Sequence, residues 1–288
     1  MIHRSVSRVL QLKCLALLVF ISHAWGAPVA LVTDIQGTAS LEGTQTARAL
    51  EILTELEDGA RVRIEAETRV VLLHHASRQE WIMQGPSVVR VNVEGVTAIS
   101  GTTPVRGAVL SAAGRSGVPL KDSRVVQAGT VLRGASFVDW VVVQPAGTRV
   151  LESRPEFRWT RLATAAAFKF ALADAGGRVI LESPAGDTGF ILPAEVKLAS
   201  GADYTWRVTA QVPGRPAVVR TGAVSVADEA TQDEVKLTRP GSADSISRWI
   251  AFGWWLDQQE FKDEARKVWQ HALAQRPQDA YLRRLVEK

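Results

Sequence analysis

Cysteine is almost missing: the 288-residue chain has one, Cys14. Without a pair, no disulfide can staple the fold, and thiolate-rich metal sites are excluded. Histidine is scarce too, with five in all. His74 and His75 are neighbours, and neighbours on a strand point to opposite faces, so they do not chelate one metal. The signatures G-x-S-x-G, S-x-x-K, H-E-x-x-H and the phosphate-binding P-loop are all missing. Acidic runs such as Glu55-Glu57-Asp58 and Asp233-Glu234 stand in turn or linker context and read as solvated surface. No apolar run is long enough to cross a bilayer. The chain is therefore expected to be no enzyme and to carry no catalytic, cofactor or metal site.

What is present begins with a leader. Arg4, Arg8 and Lys13 precede a short apolar run at residues 15–21, and Ala24-Trp25-Gly26 supplies a small-x-small site. Residues 1–26 are expected to be a secretory signal cut after Gly26, with Ala24 the alternative, leaving no transmembrane segment. The leader holds three of the 34 Lys+Arg and none of the 30 Asp+Glu, so the remainder is close to neutral. That removes the main support for a nucleic-acid partner. An exported chain without a disulfide suits a bacterial periplasm, and the expected localisation is periplasmic or secreted.

The rest is organised around residues 149–226. Phe157 and Trp159 stand two apart, as do Tyr204 and Trp206, so each pair shares one face of a strand. Phe168, Phe170 and Leu172 alternate with Lys169 and Ala171, and Asp174-Ala175-Gly176-Gly177 makes a hairpin turn. Phe157, Trp159, Tyr204 and Trp206 are the expected core. The pattern resembles the fibronectin type III or immunoglobulin-like sandwich. In that resemblance residues 198–204 lead into a tyrosine corner, with the Tyr204 hydroxyl bonded to backbone upstream.

Before it, residues 27–145 are Val-rich and broken by Gly, with candidate strands at 30–33, 39–41, 61–64, 69–74, 80–83 and 88–93. Val70 to Leu73 is apolar on both faces, which predicts a central strand. Gly37-Thr38-Ala39-Ser40-Leu41, Leu56-Glu57-Asp58-Gly59-Ala60, the central strand and Trp81-Ile82-Met83-Gln84-Gly85-Pro86 together resemble the periplasmic FecR-type domain of iron-siderophore signal transducers. The family's Gly-Ser turn is replaced by Ala76-Ser77, and no anti-sigma segment precedes it. Residues 100–122 read as a linker. Matching Gly59 with Gly129 suggests a repeated unit, so 27–145 is one domain or two. Asp139 interrupts an apolar stretch and reads as outward-facing or at a bulge.

Residues 227–243 are polar, carry Pro240-Gly241 and read as a linker, with Ser242 or Asp244 the expected cap of the helix that follows. Residues 244–288 then resemble one tetratricopeptide repeat with a capping helix. Trp249, Phe252, Gly253 and Leu256 stand at the first-helix positions; Ala265, Trp269 and Ala272 stand at the second, followed by Pro277. Small Gly253 and Ala265 belong where the helices cross. One repeat cannot bury its own faces. Trp254 and Trp255 lie outside the signature. They either pack on the rest of the chain or, with Phe261, form an exposed patch that recruits a partner.

The expected fold is thus mainly β and multidomain, with a C-terminal helical hairpin. Three functions stay open. The first is a non-enzymatic exported binding or scaffold protein of the bacterial envelope, with an envelope protein or cell-wall glycan as partner. The second is an accessory of envelope signalling. The third is an unrecognised cell-wall hydrolase, which needs paired carboxylates in a cleft.

Overall fold

The computed structural model describes residues 27–43, 47–110 and 140–287. The expected leader, Asp139 and the Gly129 half of the suggested repeat lie outside them. The chain is mainly β, with four helices at the C-terminal end.

Ten strands open it: β1 (Ala30–Gln36), β2 (Ala39–Glu42), β3 (Arg48–Ala49), β4 (Glu55–Leu56), β5 (Arg61–Ile64), β6 (Arg69–His74), β7 (Gln79–Gln84), β8 (Ser87–Asn92), β9 (Gly95–Gly101) and β10 (Val105–Val109). They form two five-stranded antiparallel sheets, ordered β10-β7-β6-β1-β4 and β3-β2-β5-β8-β9. Ala30, Val32, Val62, Ile64, Val70, Leu72, Met83, Val89 and Val91 fill the core between them. The doubly apolar run lies on β6, in the middle of its sheet. Val71 is buried on the face of β6 opposite to Val70 and Leu72. Residues 105–109 are a strand, so the expected linker at 100–122 begins in regular structure.

Eight strands follow: β11 (Val142–Gln144), β12 (Thr148–Val150), β13 (Glu156–Trp159), β14 (Ala167–Asp174), β15 (Val179–Ala185), β16 (Gly189–Ile191), β17 (Asp203–Gln211) and β18 (Val218–Val226). A three-stranded sheet, β11-β13-β16, faces a five-stranded one, β12-β18-β17-β14-β15. Strand β12 runs parallel to β18, and the other ladders are antiparallel. The unit is a β-sandwich. Phe157, Trp159, Tyr204 and Trp206 are buried in its core, and Phe157 meets Trp206 edge-on at 5.3 Å. Trp140 belongs to the same core, and β11 pairs with β13. The sandwich therefore includes residues 140–145, which composition had assigned to the preceding unit. The Tyr204 hydroxyl accepts from the Ala199 N–H at 2.8 Å, five residues upstream.

Four helices close the chain: α1 (Glu229–Thr238), α2 (Ile246–Gln258), α3 (Lys262–Gln275) and α4 (Ala280–Glu287). Helix α1 corrects the expected linker at 227–243. Asp228 caps it, accepting from the Thr231 N–H at 2.8 Å, and Val235 is its one buried residue. The cap of α2 is Ser245, and Asp244 instead pairs with Arg248. Helices α2 and α3 pack as a hairpin with α4 against α3. A Cβ on Gly253 would lie 2.6 Å from the Trp269 ring, which is why glycine sits at the crossing. Ala265 and Ala272 are buried, while Pro277 is exposed just beyond α3.

Candidate functional site

The aromatic residues that either pack on the chain or recruit a partner are largely turned inward. Phe261 is completely buried, with the Arg149 guanidinium 4.8 Å above its ring. Trp254 is half-buried and stacks on His75 of the first unit at 5.4 Å. Trp255 is half-buried and stacks on Phe252. Burial holds the His75 imidazole below its ordinary pKa, the Glu55 carboxylate opposes that shift, and His74 adds to it. His74 is buried separately. Its Nδ1 lies 2.9 Å from the Ser77 hydroxyl and its Nε2 lies 3.0 Å from the Asn92 carbonyl. The two imidazoles have separate partners, and among the described residues no group of three His, Cys, Asp or Glu could hold a metal.

The helical hairpin is instead a joint. Its core contains Ile52 from the first unit and Ala227 from the end of the sandwich. Helix α2 packs against β1, where a register shift between Val32 and Asp34 inserts Thr33 into the ladder with β6. A bulge of this kind breaks strict alternation, so two consecutive polar side chains can serve one face. Thr33 and Asp34 both meet the helices. The Ser247 hydroxyl of α2 lies 2.8 Å from the Thr33 hydroxyl and 2.6 Å from a Glu80 carboxylate oxygen, and all three residues are buried. Asp34 is 1% exposed and binds Arg276 at the end of α3, Arg69 of β6 at 3.1 Å, and Gln36 at 3.2 Å.

The other end of the hairpin engages the sandwich. No side chain of α3 caps its own start. The Thr148 hydroxyl of β12 accepts from the Lys262 N–H at 3.0 Å and donates to the Glu260 carbonyl at 2.9 Å. The Arg149 N–H also donates to that carbonyl, at 2.8 Å. A helix start left with orphan donors is thus satisfied from another unit. Sequence reasoning gave no role to Thr33, Asp34, Glu80, Thr148, Ser247 or Arg276 beyond placing Thr33 and Glu80 in candidate strands. The nearest signal was the failure of a lone repeat to bury its own faces.

One open groove of about 460 Å³ lies between the sandwich and α1, lined by Leu151, Glu152, Ser153, Arg154, Ser200 and Glu229 among others. Glu152 and Glu229 are both exposed, and the Arg154 guanidinium is held by the Leu192 carbonyl at 2.6 Å. A second carboxylate setting, the Asp174 turn, is structural. Backbone N–H groups of Arg178 and Gly176 donate to Asp174 and keep its carboxyl below the usual range.

Neither a protein-family model nor a curated protein sequence matches the chain. Among solved structures it is similar to CopC from Methylosinus trichosporium OB3b, at 16% identity, 31% of this chain, 95% of that one and a TM-score of 0.26. It is also similar to the fn3 domain of the human collagen alpha-1(XX) chain, at 18% identity, 40% and 95% coverage and a TM-score of 0.24. A two-domain fibronectin type III segment of chicken tenascin overlaps at 13% identity, 70% and 86% coverage and a TM-score of 0.23. At such scores the likenesses carry no weight of their own, and the sandwich rests on its two sheets. Among the described residues no helix is long and apolar enough to cross a membrane.

Proposed function

We propose that the chain is a non-enzymatic exported binding or scaffold protein of the bacterial envelope, periplasmic or secreted, acting on an envelope protein or cell-wall glycan. In this reading the first unit is FecR-like and the hairpin is a single tetratricopeptide-like repeat. The supporting observation is the joint. The buried polar side chains Asp34, Glu80, Thr148 and Ser247 are used to fasten the hairpin to both β units. The hairpin thereby gives up its own faces to hold two β units in a fixed relation. A fixed pair of β units suits presentation of surface rather than chemistry.

The test uses the chain from residue 27 onward, mixed with isolated cell-wall polysaccharide. Co-sedimentation without release of reducing sugar is expected. Sugar release that disappears in Glu152→Gln or Glu229→Gln would overturn the proposal in favour of hydrolysis, since those residues share the open groove.

A further inference from the structure

We propose that the outer face of the β3-β2-β5-β8-β9 sheet binds an anionic glycan through Arg61, Arg63 and Arg90. The inference rests on the non-enzymatic binding reading above and names the ligand class for it.

The register fixes the geometry. Arg61 of β5 stands directly opposite Arg90 of β8 on one side and opposite Glu42 of β2 on the other. Arg63 lies two residues along β5, so it shares the same face about 7 Å away. Val62 and Ile64, between and beyond them, are buried on the opposite face. The three arginines are exposed. Glu42 is the carboxylate serving this group, at 3.1 Å from Arg61 and 2.5 Å from Arg63. No carboxylate among the described residues pairs with Arg90.

Two like charges placed opposite each other in an antiparallel ladder destabilise it. Here that pair occupies the middle of a sheet, with a third guanidinium beside it. A local arrangement that opposes folding points to use of the surface. Guanidinium forks match phosphate, sulfate and carboxylate oxygens in two-point contacts. The rim supplies groups suited to sugar hydroxyls. Thr97 stands opposite Arg90, and Ser40 stands opposite Arg63, with Ser100 in the same row beyond Val88. Among the described residues no helix packs against this sheet in the way that α2 packs on β1. A polyanion with hydroxyl groups complements both the charge and the rim.

The experiment measures binding of the chain from residue 27 onward to heparin, used as a soluble anionic glycan. Neutral dextran and vesicles of anionic phospholipid are run alongside. Salt-sensitive binding to heparin and none to dextran is expected. Each Arg→Gln change at 61, 63 or 90 should weaken binding roughly five- to tenfold. Arg158→Gln with Arg161→Gln, on the sandwich, should leave it unchanged. Without ligand, Arg90→Gln should melt at the same temperature as the parent or higher, because it relieves the like-charge pair. That readout separates lost binding from lost folding. Unchanged affinity in the triple variant would overturn the assignment, as would binding confined to the vesicles. Depolymerisation of heparin with the arginine dependence intact would overturn the non-enzymatic reading while supporting the surface.

Discussion

Replacing Gly253 with Ala sets two terms of opposite sign against each other. In an exposed helix interior the change would stabilise by about 0.8–1 kcal/mol, because glycine loses the most backbone entropy. Here the new Cβ would lie 2.6 Å and 2.7 Å from two atoms of the Trp269 ring and 2.8 Å from a Val268 methyl. Those distances are well inside ordinary contact, and Trp269 and Val268 are both buried. The ring cannot swing into solvent, so the helices must separate. Overpacking of this kind costs about 1–3 kcal/mol. The net expectation is a loss of roughly 0–2 kcal/mol, up to several degrees in melting temperature for a chain this size. Calorimetry on Gly253→Ala alone and in combination with Trp269→Phe would check it. The smaller ring should recover part of the loss. A single variant that melts higher than the parent would refute the claim that a ring occupies the glycine's space.

Three further outcomes are expected. Tyr204→Phe leaves the Ala199 N–H without its acceptor; that amide belongs to an exposed residue, so the loss should be about 1 kcal/mol in urea midpoints, and an unchanged midpoint would reject the corner. His75 has its pKa lowered by burial, so the unfolded chain binds its proton first; stability should fall as pH drops below about 6.5 and level off once the folded form also titrates. That loss should shrink in His75→Gln, measured by melting at pH 7 and pH 5, and equal slopes in both forms would exclude His75 as the source. Removing residues 244–288 should destabilise the first unit, because Thr33, Asp34, Ile52 and Glu80 lose their cover; a truncated chain with unchanged hydrogen-exchange protection in β1 would show that the joint is dispensable.

The sandwich was readable because its aromatic residues alternate cleanly: Phe157 with Trp159, Phe168 with Phe170, Tyr204 with Trp206. Six strands of the first unit were readable for another reason: Val-rich runs separated by Gly-bearing turns. Strands β3 and β4 are two residues long, too short for any alternation to register. Strands β9 and β10 lie in Gly-, Ser- and Thr-rich sequence that carries turn chemistry, and pairing with β8 and β7 overrides it. Helix α1 buries only Val235, so its polar composition looked like a linker; a local cap at Asp228 was its signal. The joint was not readable. The extra residue in β1 leaves no mark in composition, and Thr148 caps a helix 114 residues away. Sequence reasoning also placed a linker carrying Pro240-Gly241 between the hairpin and the β units. In the structure Ile52 and Ala227 lie inside the hairpin's core.

The Arg276–Asp34 contact joins residues separated by 242 positions. Strand β1 is made well before the end of α3, which lies more than 200 residues later. Until α2 and the end of α3 emerge, Asp34 has no Arg276 and Thr33 has no Ser247. Closure across so long a loop cannot be rewarded piecemeal, and such contacts slow folding. Strand β1 is therefore built long before the residues that seal it, and it waits open in the interval.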